Sequence, residues 1–495
     1  MPCVPGEESH DDVGLRIRAR QLPAPTRGER ARRGAQIASV LTRHLGPVLA
    51  DEAIHHRHGP AAVTVAARPL RIAFETLGGT FVKFGQLVAS SPGLFGAELA
   101  EEFRSCLDTG PAVPLDEVAA LIEDELGMRV DEAFSRFDPV PIGRASIAVV
   151  HRARLHDGRD VAVKVLRPGI ARSVAVDLSL MEPLFELLCR LTGAQLAGAT
   201  LQQLDGLRLQ IGEELDLRNE ARALSTFGAL IESAGFTALV VPTPVLERSS
   251  ASVLTMSYLD GVAIDDLEHA KEFGVDPAPL VDQLIRSFFT LIVKERVFHG
   301  DVHAGNLLLL RDGRLGILDW GIVGRLDERT HRFVLRLLAA VLGDDRAWHD
   351  VAAHLVDSYG SQVRDAMKMD DDQLTEFLRS MVEPVLLRPF GEFSLGELIV
   401  SAEVRAAEAY GIELRRGGFR GALQRLRIQR RLRRAAVEGG GLMSEFDRAN
   451  FLLGKQLMYF ERYGKLFLAD APILADRAFV AGLLREQGSA HPDVA

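Results

Sequence analysis

The sequence predicts an α+β protein in which a short block of β-branched runs is enclosed by long helical stretches. Three observations carry this. Apolar residues recur at threes and fours from Gln36 to Leu49 and again from Leu70 to Val88, the spacing of one helix face. From Pro141 the period shortens: Ile147 to Arg154, Val161 to Leu166 and Val253 to Tyr258 are short β-branched runs, with Asp157-Gly158 as a turn between the first two. Helical spacing returns from Leu280, interrupted by strand-like runs at Leu307 to Leu310 and Leu315 to Leu318.

Taken in order, residues 1–34 read as a flexible arm rich in Arg, Pro and Gly, and 35–140 as a helical extension. Residues 141–262 form the small β-rich lobe, 263–355 a helical lobe and 356–495 a helical tail. In the extension, Leu70, Phe74, Leu77, Phe81, Phe84 and Val88 make one continuous apolar stripe, which leaves Lys83 and Gln86 on the opposite, water-facing side. His55, His56 and His58 lack the helical pairing and the carboxylates of a metal site, so a solvated linker is expected there. The tail run Phe451 to Leu468 is apolar enough for core or for a homodimer face, and periodicity does not choose.

Composition excludes several classes. The 495 residues carry 58 basic and 68 acidic side chains, net −10, which argues against nucleic acid as a partner. Three widely spaced cysteines make neither a disulfide scaffold nor a zinc site. With no run of about 18 uncharged apolar residues and no signal-peptide core, a cytoplasmic protein is expected, with a peripheral membrane contact as the alternative. That contact would be Arg415 to Arg434, where nine Arg and no acid accompany Leu423, Leu426 and Leu432 at helical spacing, a pattern suited to an anionic lipid surface. An Arg-rich helix paired with the acidic remainder of the protein is the equal alternative. The chain holds only seven Lys against 51 Arg, so each Lys is a scarce choice.

The chemistry concentrates in His299-Gly300-Asp301-Val302-His303-Ala304-Gly305-Asn306, followed by Asp319-Trp320-Gly321. Kinase-type phosphoryl transfer needs an Asp to take the hydroxyl proton and an Asn on the same loop to hold Mg²⁺. A second Asp, from a following hairpin, holds the metal at the β- and γ-phosphates. Asp301 and Asn306 have the D-x-x-x-x-N spacing, and Asp319 ends an apolar run before an aromatic and a Gly. Any one of these polar residues is ordinarily a turn cap; two Asp and an Asn at these offsets are not. Val161-Ala162-Val163-Lys164 fits the strand whose Lys neutralises the α- and β-phosphates, and a Lys in an apolar strand is costly without a partner. That partner is sought on a helix from Leu204 to Leu230, where Glu213, Asp216 and Glu220 would stack on one face, with Glu220 first and Glu214 as fallback. The phosphate-covering loop is expected at Pro141 to Ala148, with a single Gly and otherwise small side chains.

Together these residues resemble the UbiB/AarF family of atypical kinases (the ADCK proteins of eukaryotes), over roughly residues 70–330. Lys83-Phe84-Gly85-Gln86 resembles its K-x-G-Q helix, Ile142 to Val150 its Ala-rich loop, and Glu214-Leu215-Asp216 with Asn219-Glu220 its acidic helix motif. His299 to Asn306 and the L-D-x-G at Leu318 complete the set, with Gly143-Arg144 standing where the family has Ala-Ala. The resemblance implies a protein-kinase-like bilobal fold with an N-terminal K-x-G-Q extension and a helical C-terminal tail. It implies ATP/ADP and Mg²⁺ as cofactors and a small-molecule or lipid acceptor, linked to isoprenoid-quinone or lipid pathways. Asp301, Lys164 and Lys83 become the expected catalytic residues, Asn306 and Asp319 the metal ligands. Ile142, Gly143, Ala145, Ser146, Val150 and Lys164 become the nucleotide contacts, with Glu220, Glu214, Asp216 and Gln86 around them. By that likeness Lys83 and Gln86 face the active site rather than water, and the strand lysine Lys164 is expected to converge with Asp301, Asn306 and Asp319 on one triphosphate. Two other readings stand beside this one: a small-molecule phosphotransferase of the aminoglycoside or choline kinase type, and a nucleotide-gated scaffold without useful transfer. The Leu70 to Pro92 segment, for which such phosphotransferases have no use, discriminates the first of these.

Overall fold

The structure is a computed structural model that describes residues 15, 17–55, 60–89, 97–103, 112–192, 206–359, 369–389, 392, 448–470 and 476–488. The chain divides into two units, one built on Leu15–Ser225 with Pro242–Leu259 and the other on Thr226–Val241 with Asp260–Ala495. His56, His58 and the basic segment Arg415 to Arg434 lie outside the described residues.

The first unit opens with helices α1 (Arg27–His55), α2 (Pro60–Leu77), α3 (Gly79–Ala89), α4 (Ala97–Phe103), α5 (Leu115–Leu126) and α6 (Val130–Ala133). Where it is described, the N-terminal segment makes specific contacts and is helical from Arg27. The Arg18 amide donates to Asn219 Oδ1 at 3.0 Å, and α1 begins at Arg27 because Thr26 and Glu29 form a reciprocal cap, the Glu29 carboxylate accepting from the Thr26 amide at 2.8 Å. The single stripe expected from Leu70 to Val88 is two helices. Gly78 and Gly79, at φ +68° and +44°, turn the chain between them into the left-handed region that favours glycine. The apolar face survives the break, since Phe74 meets the rings of Phe81, Phe84 and Phe103 at 5.3–6.0 Å.

Strands β1 (Arg136–Arg144), β2 (Ala148–Arg154) and β3 (Asp160–Leu166) follow, then helices α7 (Ile170–Thr192), α8 (206–214) and α9 (Leu217–Ser233). Strand β4 (Leu239–Val240) belongs to the second unit, and β5 (Val253–Ser257) completes an antiparallel sheet in the order β1-β2-β3-β5. The loop expected at Pro141 to Ala148 is mostly strand. β1 runs to Arg144 through two register shifts around Pro141, tolerated because a proline that cannot donate to the ladder sits on an edge strand. The long helix expected from Leu204 to Leu230 is broken at Leu215-Asp216, so its three acids do not share a face. Asp216 instead caps α9, accepting from the Arg218 amide at 3.2 Å, which is what a short acidic side chain does best at a helix start.

In the second unit, β4 pairs in parallel with β9 (Leu315–Ile317) within a sheet ordered β4-β9-β8-β6, where β6 is Gly261–Ala263 and β8 is Leu307–Leu310. A separate ribbon pairs β7 (Val297–His299) with β10 (Val323–Arg325). Around these lie α10 (Leu267–Phe273), α11 (Pro277–Glu295), α12 (Glu328–Val341), α13 (Asp345–Tyr359), α14 (Asp371–Leu387), α15 (Arg448–Phe467) and α16 (Arg477–Gly488). The largely aliphatic core holds an aromatic cluster: Phe288 of α11 packs edge-on against Phe298 and against Phe460 of α15, at 5.4 and 4.8 Å. The tail run Phe451 to Leu468 thus supplies core, with Leu452, Phe460 and Tyr463 all buried. Among the described residues no helix is long and apolar enough to cross a membrane.

One glycine of the ribbon is set by close approach. A Cβ added at Gly324 would lie 2.1 Å from Cζ of the fully buried Phe298. Gly324→Ala is therefore expected to destabilise the protein by about 1–3 kcal/mol, as overpacking does. Gly454→Ala on α15, where a Cβ meets nothing within 4 Å, is expected to cost nothing; denaturation midpoints of the two variants check this.

Candidate active site

Lys164 sits in β3, hydrogen-bonded on both sides by β2 and β5, among fully buried Val163 and Val165. An ammonium there requires a counter-charge. Glu220, in the first turn of α9, provides it: its two carboxylate oxygens accept from Lys164 Nζ at 3.0 and 2.8 Å, and both side chains are nearly buried. The break at Leu215-Asp216 is what starts α9 in time to place Glu220 in that turn. Glu214, the fallback partner, is taken elsewhere. Its Oε2 lies 2.7 Å from Lys83 Nζ, with the two side chains 8% and 10% exposed, and Gln210 donates to its other oxygen at 3.0 Å. Lys83 is therefore not on a wet outer face, and Gln86, one turn on, is half-buried. Burial opposes the charge on Asp216, yet the hydrogen bonds from Arg218 outweigh it and hold that carboxyl below its usual range. Asn219 ties the N-terminal segment down, donating to the carbonyls of Arg18 and Glu213.

The small-residue loop reduces to Ala145-Ser146-Ile147. Arg167 braces it, its Nε donating to the Ala145 carbonyl at 3.0 Å and its amide to the Ile147 carbonyl at 2.8 Å. Ser146 is buried, Ile142 is 52% exposed, and a Cβ on Gly143 would just touch Val150 at 3.6 Å.

In the second unit the loop from His299 to Asn306 is clamped from within. Nδ1 of His299 accepts from the Asp301 amide at 2.9 Å, and its Nε2 lies 3.2 Å from the Leu318 carbonyl, so the ring carries its proton on Nε2. Burial drives the His299 pKa down to about 4, and a second ring proton would also oppose the Asp301 N–H. The clamp joins the Asp301 loop to the Asp319 segment, as does the 2.7 Å bond from the Leu318 amide to the Asn306 carbonyl. Asp319 adopts φ +49°, a left-handed backbone that Asp tolerates better than most residues, with its Oδ1 accepting from the Gly321 amide at 3.3 Å. Trp320 turns inward, its indole donating to the Ile317 carbonyl and its ring lying 4.3 Å from both His299 and Phe227.

A further cluster bears on Asp301. From α15, Lys455 Nζ lies 2.7 Å from Asp301 Oδ1, and the Tyr459 hydroxyl donates to the same oxygen at 3.3 Å. Gln456 Oε1 accepts from the Val302 amide and the Tyr463 hydroxyl donates to the Val302 carbonyl. Burial, reinforced by the Asp301 charge, pushes the Tyr459 hydroxyl above the usual phenol range, so it remains a donor. Sequence reasoning read this helix only as core or dimer face. The scarcity of lysine that singled out Lys164 applies equally to Lys455 and was the available signal.

The residues of the second unit fit a magnesium ion. Asn306 Nδ2 donates to the Asp301 carbonyl at 3.0 Å, while its amide oxygen has no protein partner among the described residues. That oxygen and the half-buried Asp319 carboxylate are hard donors, and Mg²⁺ is commonly held by one or two such groups together with substrate phosphates.

A kinase-like α+β fold with a strand lysine paired to a helix glutamate, and an Asp–Asn loop followed by a hairpin Asp, defines an atypical kinase-like protein. The profile of the ABC1 atypical kinase-like domain matches residues 105–351. An uncharacterized chloroplastic aarF domain-containing protein kinase of Arabidopsis thaliana is 33% identical over 430 residues, 85% of this chain and 75% of that protein. An uncharacterized Mycobacterium tuberculosis protein is 31% identical over 479 residues, 95% and 87% of the two chains. A probable protein kinase UbiB of Azotobacter vinelandii is 32% identical over 338 residues, 67% of this chain and 61% of its own length. The chain belongs to the ABC1/aarF family of atypical kinase-like proteins. Among solved structures, a Mycobacterium tuberculosis protein in complex with erythromycin is 22% identical, with 69% of this chain and 85% of that one covered and a TM-score of 0.42.

Two outcomes follow from the buried charges. Lys164→Met strands the Glu220 carboxylate and is expected to destabilise the protein by about 3–5 kcal/mol in urea unfolding, with most of the loss recovered in Lys164→Met/Glu220→Gln. For His299 the folded pKa lies below the unfolded one, so its contribution is present above about pH 6.5 and is lost as pH falls toward 4. The stability advantage of the wild type over His299→Gln should shrink by about 3 kcal/mol between pH 7 and pH 4 in unfolding titrations.

Proposed function

We propose that this chain carries out Mg²⁺-dependent phosphoryl transfer from ATP, either to water or to a small-molecule or lipid acceptor of isoprenoid-quinone or lipid metabolism. The observation that carries the reading is the Lys164–Glu220 pair: a buried strand lysine held by both oxygens of a helix glutamate is what a lysine needs in order to meet phosphates in one fixed position. In this reading Lys164 Nζ neutralises the α- and β-phosphates, and the Ala145-Ser146-Ile147 turn, braced by Arg167, approaches them through its backbone. Asn306 and Asp319 would hold Mg²⁺, which when bound would supply charge neutralisation to the transferring phosphates. Asp301 orients the acceptor hydroxyl or water and takes its proton at the carboxylate. Lys83, with Gln86 one turn on, is the residue through which the helical extension acts on catalysis, and its ion pair with Glu214 supports that role.

Because the transferred group meets mainly electrostatic demands, losing one metal-holding carboxylate is expected to be severe. Asp319→Asn should lower Mg²⁺-dependent ATP turnover by at least on the order of 10²–10³-fold, measured as phosphate release across a magnesium titration. Full activity in that variant would refute the metal assignment.

A further inference from the structure

This inference rests on the reading of Asp301 as the proton-accepting carboxylate of a phosphoryl-transfer loop. We infer that Lys455, delivered from α15 far downstream in the chain, is a positioning residue of that loop and acts with Tyr459 through Asp301. Two donors converge on one oxygen, Lys455 Nζ at 2.7 Å and the Tyr459 hydroxyl at 3.3 Å from Asp301 Oδ1. A carboxylate pinned at one oxygen has the direction of its other oxygen fixed, and a loop base must be held to within a fraction of an ångström.

Charge gives a second reason. The loop from His299 to Asn306 contains no Lys or Arg, while Asp301 and Asp319 both present negative charge to an anionic phosphoryl group. Lys455 offsets Asp301 at contact distance, so an incoming phosphate does not face a bare carboxylate. The cation is thus supplied from a remote helix instead of from the loop itself.

The alternative, that α15 is a detachable latch which blocks Asp301, fits the packing poorly. Gln456, Leu452, Phe460 and Tyr463 of the same helix are buried, and Gln456 and Tyr463 hold both backbone groups of Val302. Withdrawing the helix would uncover that core and leave the loop backbone unsatisfied. It is a standing wall of the site.

The test measures Mg·ATP turnover, with water as acceptor, in the wild type and in Lys455→Met, Lys455→Arg, Tyr459→Phe, Lys465→Met, Asp301→Asn and Asp319→Asn. Lys455→Met is expected to lose kcat on the order of 10²-fold with little change in KM for Mg·ATP. Lys455→Arg restores the charge and should recover a large part of that loss. Tyr459→Phe should lower kcat more mildly, and Lys465→Met, on an exposed lysine of the same helix, should change nothing. Equal losses in the Met and Arg variants, accompanied by a lowered thermal transition, would mean a structural role only and would overturn the inference. A rise in turnover in Lys455→Met would mean a latch and would also overturn it. If Lys455→Met does not fold, Lys455→Arg and Tyr459→Phe decide: wild-type kcat in Tyr459→Phe overturns the joint role. If Asp301→Asn and Asp319→Asn leave turnover intact, or the wild type has none, the parent reading fails. If they abolish it and Lys455→Met does not lower it, this inference fails alone.

Discussion

An ammonium group cannot be buried without a carboxylate beside it, and this constraint organises the functional half of the molecule. The chain holds seven lysines, and among the described residues three of them are spent on mostly buried pairs: Lys83 with Glu214, Lys164 with Glu220, and Lys455 with Asp301. Each pair joins elements distant in sequence, so each fixes a tertiary relationship as well as a charge. Lys83 ties the helical extension to α8, Lys164 ties the sheet to α9, and Lys455 ties the tail helix to the Asp301 loop. Arginine, with its broad and weakly hydrated fork, also holds buried carboxylates, as Arg218 does at Asp216, and braces backbone carbonyls, as Arg167 does at Ala145.

Backbone irregularities place these pairs. The left-handed turn at Gly78-Gly79 redirects the extension so that α3 carries Lys83 inward rather than continuing the line of α2. The break at Leu215-Asp216 ends α8 just after Glu214 and starts α9 just before Glu220, so two neighbouring acids serve two different lysines. Asp319 holds its own left-handed conformation, and the next residue, Trp320, packs against His299. Of these departures only the left-handed Asp319 costs backbone free energy, and all three lie where the charged side chains have to be aimed.

The neutral His299 ring plays a complementary part in the second unit. One nitrogen accepts from the Asp301 amide and the other donates toward the Leu318 carbonyl, so a single buried side chain locks the Asp301 loop to the strand end that carries Asp319. The lock works only while the ring is uncharged. Burial keeps it so.

The α+β class, the Lys164 strand, the Asp301–Asn306 spacing and Asp319 at a strand end were all legible in the sequence, because each depends on local order: a period of two, a fixed offset, a motif beside an apolar run. Glu220 as the partner of Lys164 was also readable, since a buried lysine demands an acid and few stand on the following helical stretch. Tertiary structure alone decided the rest. The linear pattern from Leu204 to Leu230 read as one helix, because hydrophobic spacing does not register a two-residue break that an aspartate cap makes favourable. The K-x-G-Q likeness already turned Lys83 away from water, but that its partner is Glu214 of α8 was decided by packing alone. Lys455 was invisible as a partner of Asp301, because contact across more than a hundred residues is set by how helices pack and leaves no trace in local periodicity.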